Sequence, residues 1–502
     1  MKMLRMLGIT LAVLLALPLV EQAQTQQAPP SCSPTPCWTA LNNQPPFGGI
    51  GTILLLKDGR ILAENMGNGG GSSSWDIFTP DSTGSYQNGT WSTTGSLPSG
   101  YAPLYFASEV LPNGFVLING GEYNGGTAVW TNLGAYWNNK TGAWTAVTPP
   151  SGWSTIGDAP SVILANGQYM LANCCTTQEA ILNYPTKAWT ATGTGKADIN
   201  NEEGWTLLPG GTLLTVDATS NNTNSELYNP ATGTWISAGS TINQLSDPMS
   251  SELGPAVLRP DGTVIAFGAN RNTGNNSIYT PNSNPLMAGT WAAGPSFPNL
   301  GQGQLDIADG PAALLPDGNV LCFTSPGVFN TGGVFFEFNG TTLTQAPPTP
   351  LSPGDSSYMG RMLVLPTGQI WFSDYSSTVY LYSASGTYQS AWQPKIFTAP
   401  DMLTSPQAGY ILKGTQLNGF SGGAAYGDDA QMNSNYPMVE LSGGGNVIFL
   451  PTTGENTYGL GTGRDLFSIR FDVPSGIRSG TYTLTVVTNG IPSAGVKVTV
   501  VN

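Results

Sequence analysis

The sequence contains no histidine in 502 residues. Without imidazole, Ser-His-Asp and Cys-His catalysis and His-ligated zinc are excluded. Charge is also scarce. Charged residues make up 9% of the chain, and 30 acids against 16 bases leave a formal net charge of -14. No basic stretch with interleaved aromatics occurs, which excludes nucleic-acid binding. An acidic surface suits cations, neutral sugars or basic partners. Long helical patterns are missing beyond the N-terminus. So are long apolar runs, and no stretch after residue 20 predicts a membrane span.

The N-terminus carries the one exception. Lys2 and Arg5 precede an almost unbroken apolar run from Leu7 to Val20. The run is short for a bilayer and predicts a secretory signal peptide over 1–23, cleaved near Ala23, with an uncleaved anchor as the alternative. A secreted or cell-surface location follows. Cysteines number only five. Cys32 and Cys37 flank a short SPTP loop and are expected to pair in an exported chain, tying down an N-terminal arm over 24–47. Cys174, Cys175 and Cys322 read as buried apolar filler. A bridge from Cys174 or Cys175 to Cys322 stays open, and one thiol is left over in any scheme.

What the chain does have is glycine, 65 residues of it, and many short β-branched and aromatic runs between turn residues. One hairpin pattern recurs. Its turn glycines are Gly59, Gly114, Gly167, Gly211, Gly262, Gly318 and Gly368, in segments such as LLLKDGRIL and LLPDGNVL. Their spacings are 55, 53, 44, 51, 56 and 50 residues. An aromatic follows each hairpin: Phe78, Tyr136, Tyr184, Tyr228, Tyr279, Phe338 and Tyr382. A tryptophan closes each unit at Trp91, Trp144, Trp189, Trp235, Trp291 and Trp392, with Leu343 in the sixth. About four strands per unit cannot bury both faces alone, so the units are expected to stack radially.

These units, with the diglycine Gly120–Gly121 of INGGE, resemble kelch repeats. With the domain that follows, they resemble the galactose oxidase and glyoxal oxidase family over essentially the whole mature chain. The expected fold is all-β: a seven-bladed kelch-type β-propeller over 48–393, then an immunoglobulin-like β-sandwich over 394–502. Pro394, Pro400 and Pro406 mark the boundary. Alternation in TYTLTVV puts Tyr482, Leu484 and Val486 on one face. The C-terminal stretch resembles the filamin-like or transcription-factor-like immunoglobulin fold (E-set, IPT/TIG-like). The resemblance also implies that residues 48–66 lend a strand to the last blade and hide its edges.

Oxidases of that family hold copper with two tyrosines and two histidines. In SSYMGRMLVLPTG, Tyr358 matches a tyrosine, and Met359 stands where a histidine belongs. Thioether and phenolate replace imidazole poorly for Cu(II), so the sequence disfavours copper-radical oxidation.

A different constellation remains. Asp158, Glu202 and Glu203, Glu252, and Asp309 each lie 8 to 10 residues before the turn glycine of their own unit. Four successive blades would thus ring one mouth of the channel with carboxylates, with Arg361 nearby. Such acids can bind Ca²⁺, with Glu203, Glu252 and Asp309 as expected ligands. They can hold a sugar, or serve as paired acid and base in glycan cleavage. They can equally cap loops. Asp428 and Asp429, in the Gly-rich loop 419–437, are further candidates beside the simpler reading of a solvated loop. The first functional reading is a secreted, non-catalytic protein binding an extracellular glycan or protein. The alternative is a histidine-independent hydrolase or lyase at the acidic mouth.

Overall fold

The computed structural model describes residues 32–67, 70–219 and 223–502. The expected signal peptide lies outside the described residues. The first sheet runs in chain order through Ile50–Leu55, Ile61–Asn65, Ser74–Thr79 and Thr90–Thr93, all antiparallel. The pattern repeats in sheets whose first strands are Ala107–Val110, Ser161–Ile163, Thr206–Leu207, Ala256–Leu258, Ala312–Leu314 and Arg361–Val364.

These first strands line one ring. Ile50–Leu55 packs on Ala107–Val110 and on Arg361–Val364. Ala107–Val110 packs on Ser161–Ile163, and Thr206–Leu207 on Ala256–Leu258. Ala312–Leu314 then sits between Ala256–Leu258 and Arg361–Val364. Small antiparallel sheets standing around such a ring make a β-propeller.

The turn chemistry is uniform. All seven turn glycines have φ between +79° and +89°, a region where a Cβ is penalised. In the first hairpin the Gly59 amide donates to the Leu56 carbonyl at 2.9 Å, and the Leu56 amide to the Arg60 carbonyl at 2.7 Å. That is a tight turn followed by one left-handed residue. In three sheets the aromatic and tryptophan marks pair across strands: Phe78 opposite Trp91, Tyr228 opposite Trp235, Tyr279 opposite Trp291; in the second sheet Trp144 faces Trp137 and in the third Trp189 faces Leu182 instead. They also bind neighbouring sheets, as where Phe78 meets Trp371 at 5.1 Å between ring centres.

Two expectations fail at the closure of the ring. The outer strand of the last sheet is Cys37–Ala40, paired with Val379–Ser383. Residues 48–66 instead make the inner strands of the first sheet. Trp38, opposite Tyr382, takes the place assigned to Trp392. Trp392 lies in a short 3₁₀ turn, Ser390–Trp392, against Gly318. The physical reason is edge pairing: the N-terminal strand reaches the open edge and satisfies its backbone. The Cys32–Cys37 disulfide is present at the start of that strand. Cys174 and Cys175 are bonded to each other, which overturns their reading as unpaired filler, and Cys322 is free and buried.

After residue 394 two sheets share one core. The first holds Lys395–Thr398, Gln407–Thr415, Phe467–Val473 and Thr452–Thr453, and the second holds Met402–Thr404, Val496–Val501, Gly480–Thr488, Met438–Gly443 and Asn446–Leu450. Tyr482, Leu484 and Val486 all enter that core, as their alternation predicts. This unit covers the turn end of the propeller. Phe449 lies on Gly59, Tyr458 on Gly167 and Gly490 on Gly368. A buried Lys57–Glu455 salt bridge of 2.6 Å ties the two together. Among the described residues no helix is long and apolar enough to cross a membrane.

Candidate functional site

Segment 419–437 is not a solvated loop. It enters the channel from the C-terminal sheets. Ala424–Ala425 pairs with the inner strand Ala312–Leu314, Ala425 opposite Ala312. The Tyr436 hydroxyl donates to the Leu55 carbonyl, and Asn433 Nδ2 donates to Glu109 Oε1 at 2.8 Å. The segment thereby touches the first, second and sixth sheets. Gly427 needs to be glycine: a Cβ there would stand 2.7 Å from Asp309 Oδ1. Asp428 and Asp429 are 3% and 0% exposed, which corrects the expectation of a solvated loop.

The segment meets acids from the ring. Glu202 and Asp309 hold left-handed backbone, φ 59° and 51°, just before their inner strands. Carboxylate oxygens of Asp158, Glu202 and Asp428 lie within 4.8 Å of one another, and so do those of Glu202, Glu252 and Asp309. Asp158, Glu252 and Asp428 are buried, while Glu202 and Asp309 keep part of their surface open. Asp158 Oδ1, Glu252 Oε2, Asp309 Oδ1 and Asp428 Oδ2 have no hydrogen-bond partner, while the Asp429 carboxyl is approached by the Asp428 carboxyl and the Ala430 amide. Among the described residues none of these acids is in a salt bridge.

Burial raises the carboxyls of Asp158, Glu202, Asp309 and Asp428 well above their usual range, and the neighbouring acids raise them further. Glu252 is raised by burial too. Asp429 reaches only about 6, because the Arg361 charge opposes its burial. Such clustering with so little counter-charge is costly and is what a bound cation relieves.

Glu203 does not join the site. It points into a buried network, 2.9 Å from Lys196 Nζ, which also bonds Glu226 at 2.5 Å. Lys196 already supplies a cation there, and Glu203 groups with Asp217 and Glu226, apart from Glu202 and the acids at the mouth. Arg361 and Tyr358 stand beside the acids. Arg361 is buried and donates to the Tyr358 and Gly360 carbonyls, each at 2.8 Å, and to Tyr375 Oη at 3.1 Å. Tyr426 stacks on the guanidinium and donates its hydroxyl to the same Tyr358 carbonyl at 2.8 Å. The Tyr358 ring meets Phe329 edge-on at 5.3 Å.

One acid escaped the sequence reading. Glu122, half-buried, faces this cluster, and burial followed by Asp429 and Glu252 raises it to about 7. The sequence marks it by position: it follows the diglycine of INGGE. Tyr105, Tyr375 and Tyr426 around Arg361 had no comparable signal. The donor set does not fit copper. It is carboxylate oxygen throughout, and Met359 next to Tyr358 offers only a thioether.

No family model matches the chain, and no curated protein does. Solved structures do. A fungal alcohol oxidase of the AA5 family, in complex with copper, aligns at a TM-score of 0.53 and 12% identity, over 93% of this chain and 99% of that one. YCF48 bound to D1 peptide aligns at 0.47 and 14%, over 72% and 99%. Virginiamycin B lyase from Staphylococcus aureus aligns at 0.45 and 11%, over 69% and 99%. The likeness to the oxidase is one of fold.

Proposed function

We propose that this is a secreted binding protein. Its seven-bladed kelch-type propeller over 48–393, closed by Cys37–Ala40, presents a hard divalent cation such as Ca²⁺ at the mouth of its channel. Through that ion it recognises an extracellular glycan or protein. An immunoglobulin-like domain over 394–502 braces the opposite face and sends Asp428 up the channel, and a signal peptide over 1–23 directs export.

One observation carries this reading. Five carboxylates converge from four sheets and the C-terminal segment, with unpartnered buried oxygens and, among the described residues, no salt bridge. Hard cations take six to eight such oxygens. Partial exposure of Glu202 and Asp309 leaves the ion's outer side open to ligand hydroxyls or carboxylates. Melting the mature protein with EDTA and then with Ca²⁺ tests it. A site filled to 100 times its Kd adds about 2.7 kcal/mol, a rise of a few degrees. The rise should shrink in Asp309→Asn. No rise with Ca²⁺, Mg²⁺ or Mn²⁺ would end the cation reading.

Glu122 favours a second reading, a histidine-independent hydrolase or lyase. A half-buried carboxyl held near 7 suits acid–base work at neutral pH. Turnover of a polysaccharide that Glu122→Gln abolishes would establish it.

A further inference from the structure

We infer that the mouth takes two hard divalent cations, with Glu202 shared between them; this rests on the cation reading above. The acids sort into two sets of three, Asp158–Glu202–Asp428 and Glu202–Glu252–Asp309, each with its oxygens within 4.8 Å. Glu202 is the one member common to both. Each set holds a buried oxygen that nothing in the chain satisfies. In the first these are Asp158 Oδ1 and Asp428 Oδ2, on residues 7% and 3% exposed. In the second it is Glu252 Oε2, on a residue 8% exposed. A single ion in either set would leave the unpaired oxygen of the other in place.

Charge points the same way. Five carboxylates carry five negative charges when ionised. One divalent ion leaves three uncompensated in a largely buried space, and two leave one. The Glu202 carboxylate lies within 4.8 Å of the acids of both sets. A carboxylate has two oxygens and can serve an ion with each.

The two sites also differ in origin. Glu252 and Asp309 come from the ring alone. Asp428 arrives on the segment from the C-terminal sheets. An ion in the first site therefore pins that segment to the ring, whereas the second site needs only the ring.

Equilibrium dialysis of the chelator-stripped full chain against Ca²⁺ counts the ions. Two per chain are expected in the wild type, and one in Asp428→Asn and in Glu252→Gln. Glu202→Gln should weaken both by tenfold or more. A single ion in the wild type, lost alike in all three variants, overturns the two-ion centre and leaves the binding function standing. No ion at all overturns both. Should the variants unfold, Mn²⁺ on the wild type decides the matter by electron paramagnetic resonance. Two ions sharing a carboxylate give an exchange-coupled signal, and an isolated six-line spectrum at saturation overturns the proposal.

Discussion

The guanidinium carbon of Arg361 lies 3.7 Å from the centre of the Tyr426 ring. One residue starts the inner strand of the last propeller sheet. The other rides on the segment sent up the channel by the C-terminal sheets. Arg361 is 1% exposed, and the Tyr105 and Tyr375 rings also surround it. A desolvated cation–π contact is worth about 2 kcal/mol, and a lysine cannot reproduce the planar stack. Arg361→Lys should therefore loosen segment 419–437. Hydrogen exchange there is expected to speed up tenfold or more, against little change in the sheets. Tyr426→Phe removes only the bond to the Tyr358 carbonyl and should cost about 1 kcal/mol. Unchanged protection in Arg361→Lys would contradict the role given to this stack.

Glu202 and Glu203 are adjacent and have opposite duties. Glu203 and Glu226 share the Lys196 ammonium, which also lies over the Trp235 ring at 5.4 Å. Lys196→Met would strand both carboxylates in a buried site. Breaking a buried pair this way costs about 3–5 kcal/mol, so the melting temperature should drop by several degrees with cation binding at the mouth retained. Glu202→Gln should do the reverse. Melting curves and Ca²⁺ titration of both variants check the division.

That division shows what the sequence could not convey. Turn glycines, cross-strand aromatics and acids before the inner strands were legible because each follows from local chemistry repeated at a steady spacing. The direction of a side chain was not. Two consecutive acids at a strand start point apart, and nothing in EEGW says which one faces the channel. Trp392 misled for a related reason: it keeps the repeat spacing, yet Trp38 occupies the strand. A segment some 340 residues earlier in the chain competes for that edge, and periodicity carries no information on it. The buried path of Asp428 was equally invisible, since a Gly-rich loop reads as solvated until the Gly427 contact with Asp309 is seen.

Ring closure rests on that short N-terminal strand. Trp38 packs on Phe335, Phe372 and Tyr382 at 4.8, 5.6 and 4.7 Å and donates from Nε1 to the Pro347 carbonyl at 2.7 Å. It is partly exposed, so Trp38→Ala should cost about 2–4 kcal/mol, somewhat under the range for a fully buried aromatic. The first and last sheets flank the closure. Their amides should lose protection before those of the fourth sheet, and hydrogen exchange by mass spectrometry resolves the order. Uniform loss across all sheets would mean that closure does not limit local opening.

Asp306 carries a pH signature separate from the mouth. It is fully buried, at 0% exposure, and, among the described residues, outside any salt bridge, with the Gly327 and Ala308 amides approaching its carboxyl. Burial raises its carboxyl to about 8; the Asp247 charge adds to this, and Arg271 opposes it. In the unfolded chain the same group ionises near 4. Between those values the folded state binds the extra proton, so stability falls as pH rises through that window. Below it both states are protonated, and the group contributes nothing to the slope. Asn at 306 mimics the protonated carboxyl and cannot ionise. The stability of Asp306→Asn relative to wild type should therefore climb between pH 5 and pH 8, by at most about 1.4 kcal/mol per unit. Denaturant melts at pH 5, 6.5 and 8 measure it. A difference that stays flat across the three would place an ionised Asp306 in the fold, and its charge would then need a partner among the groups around Arg271.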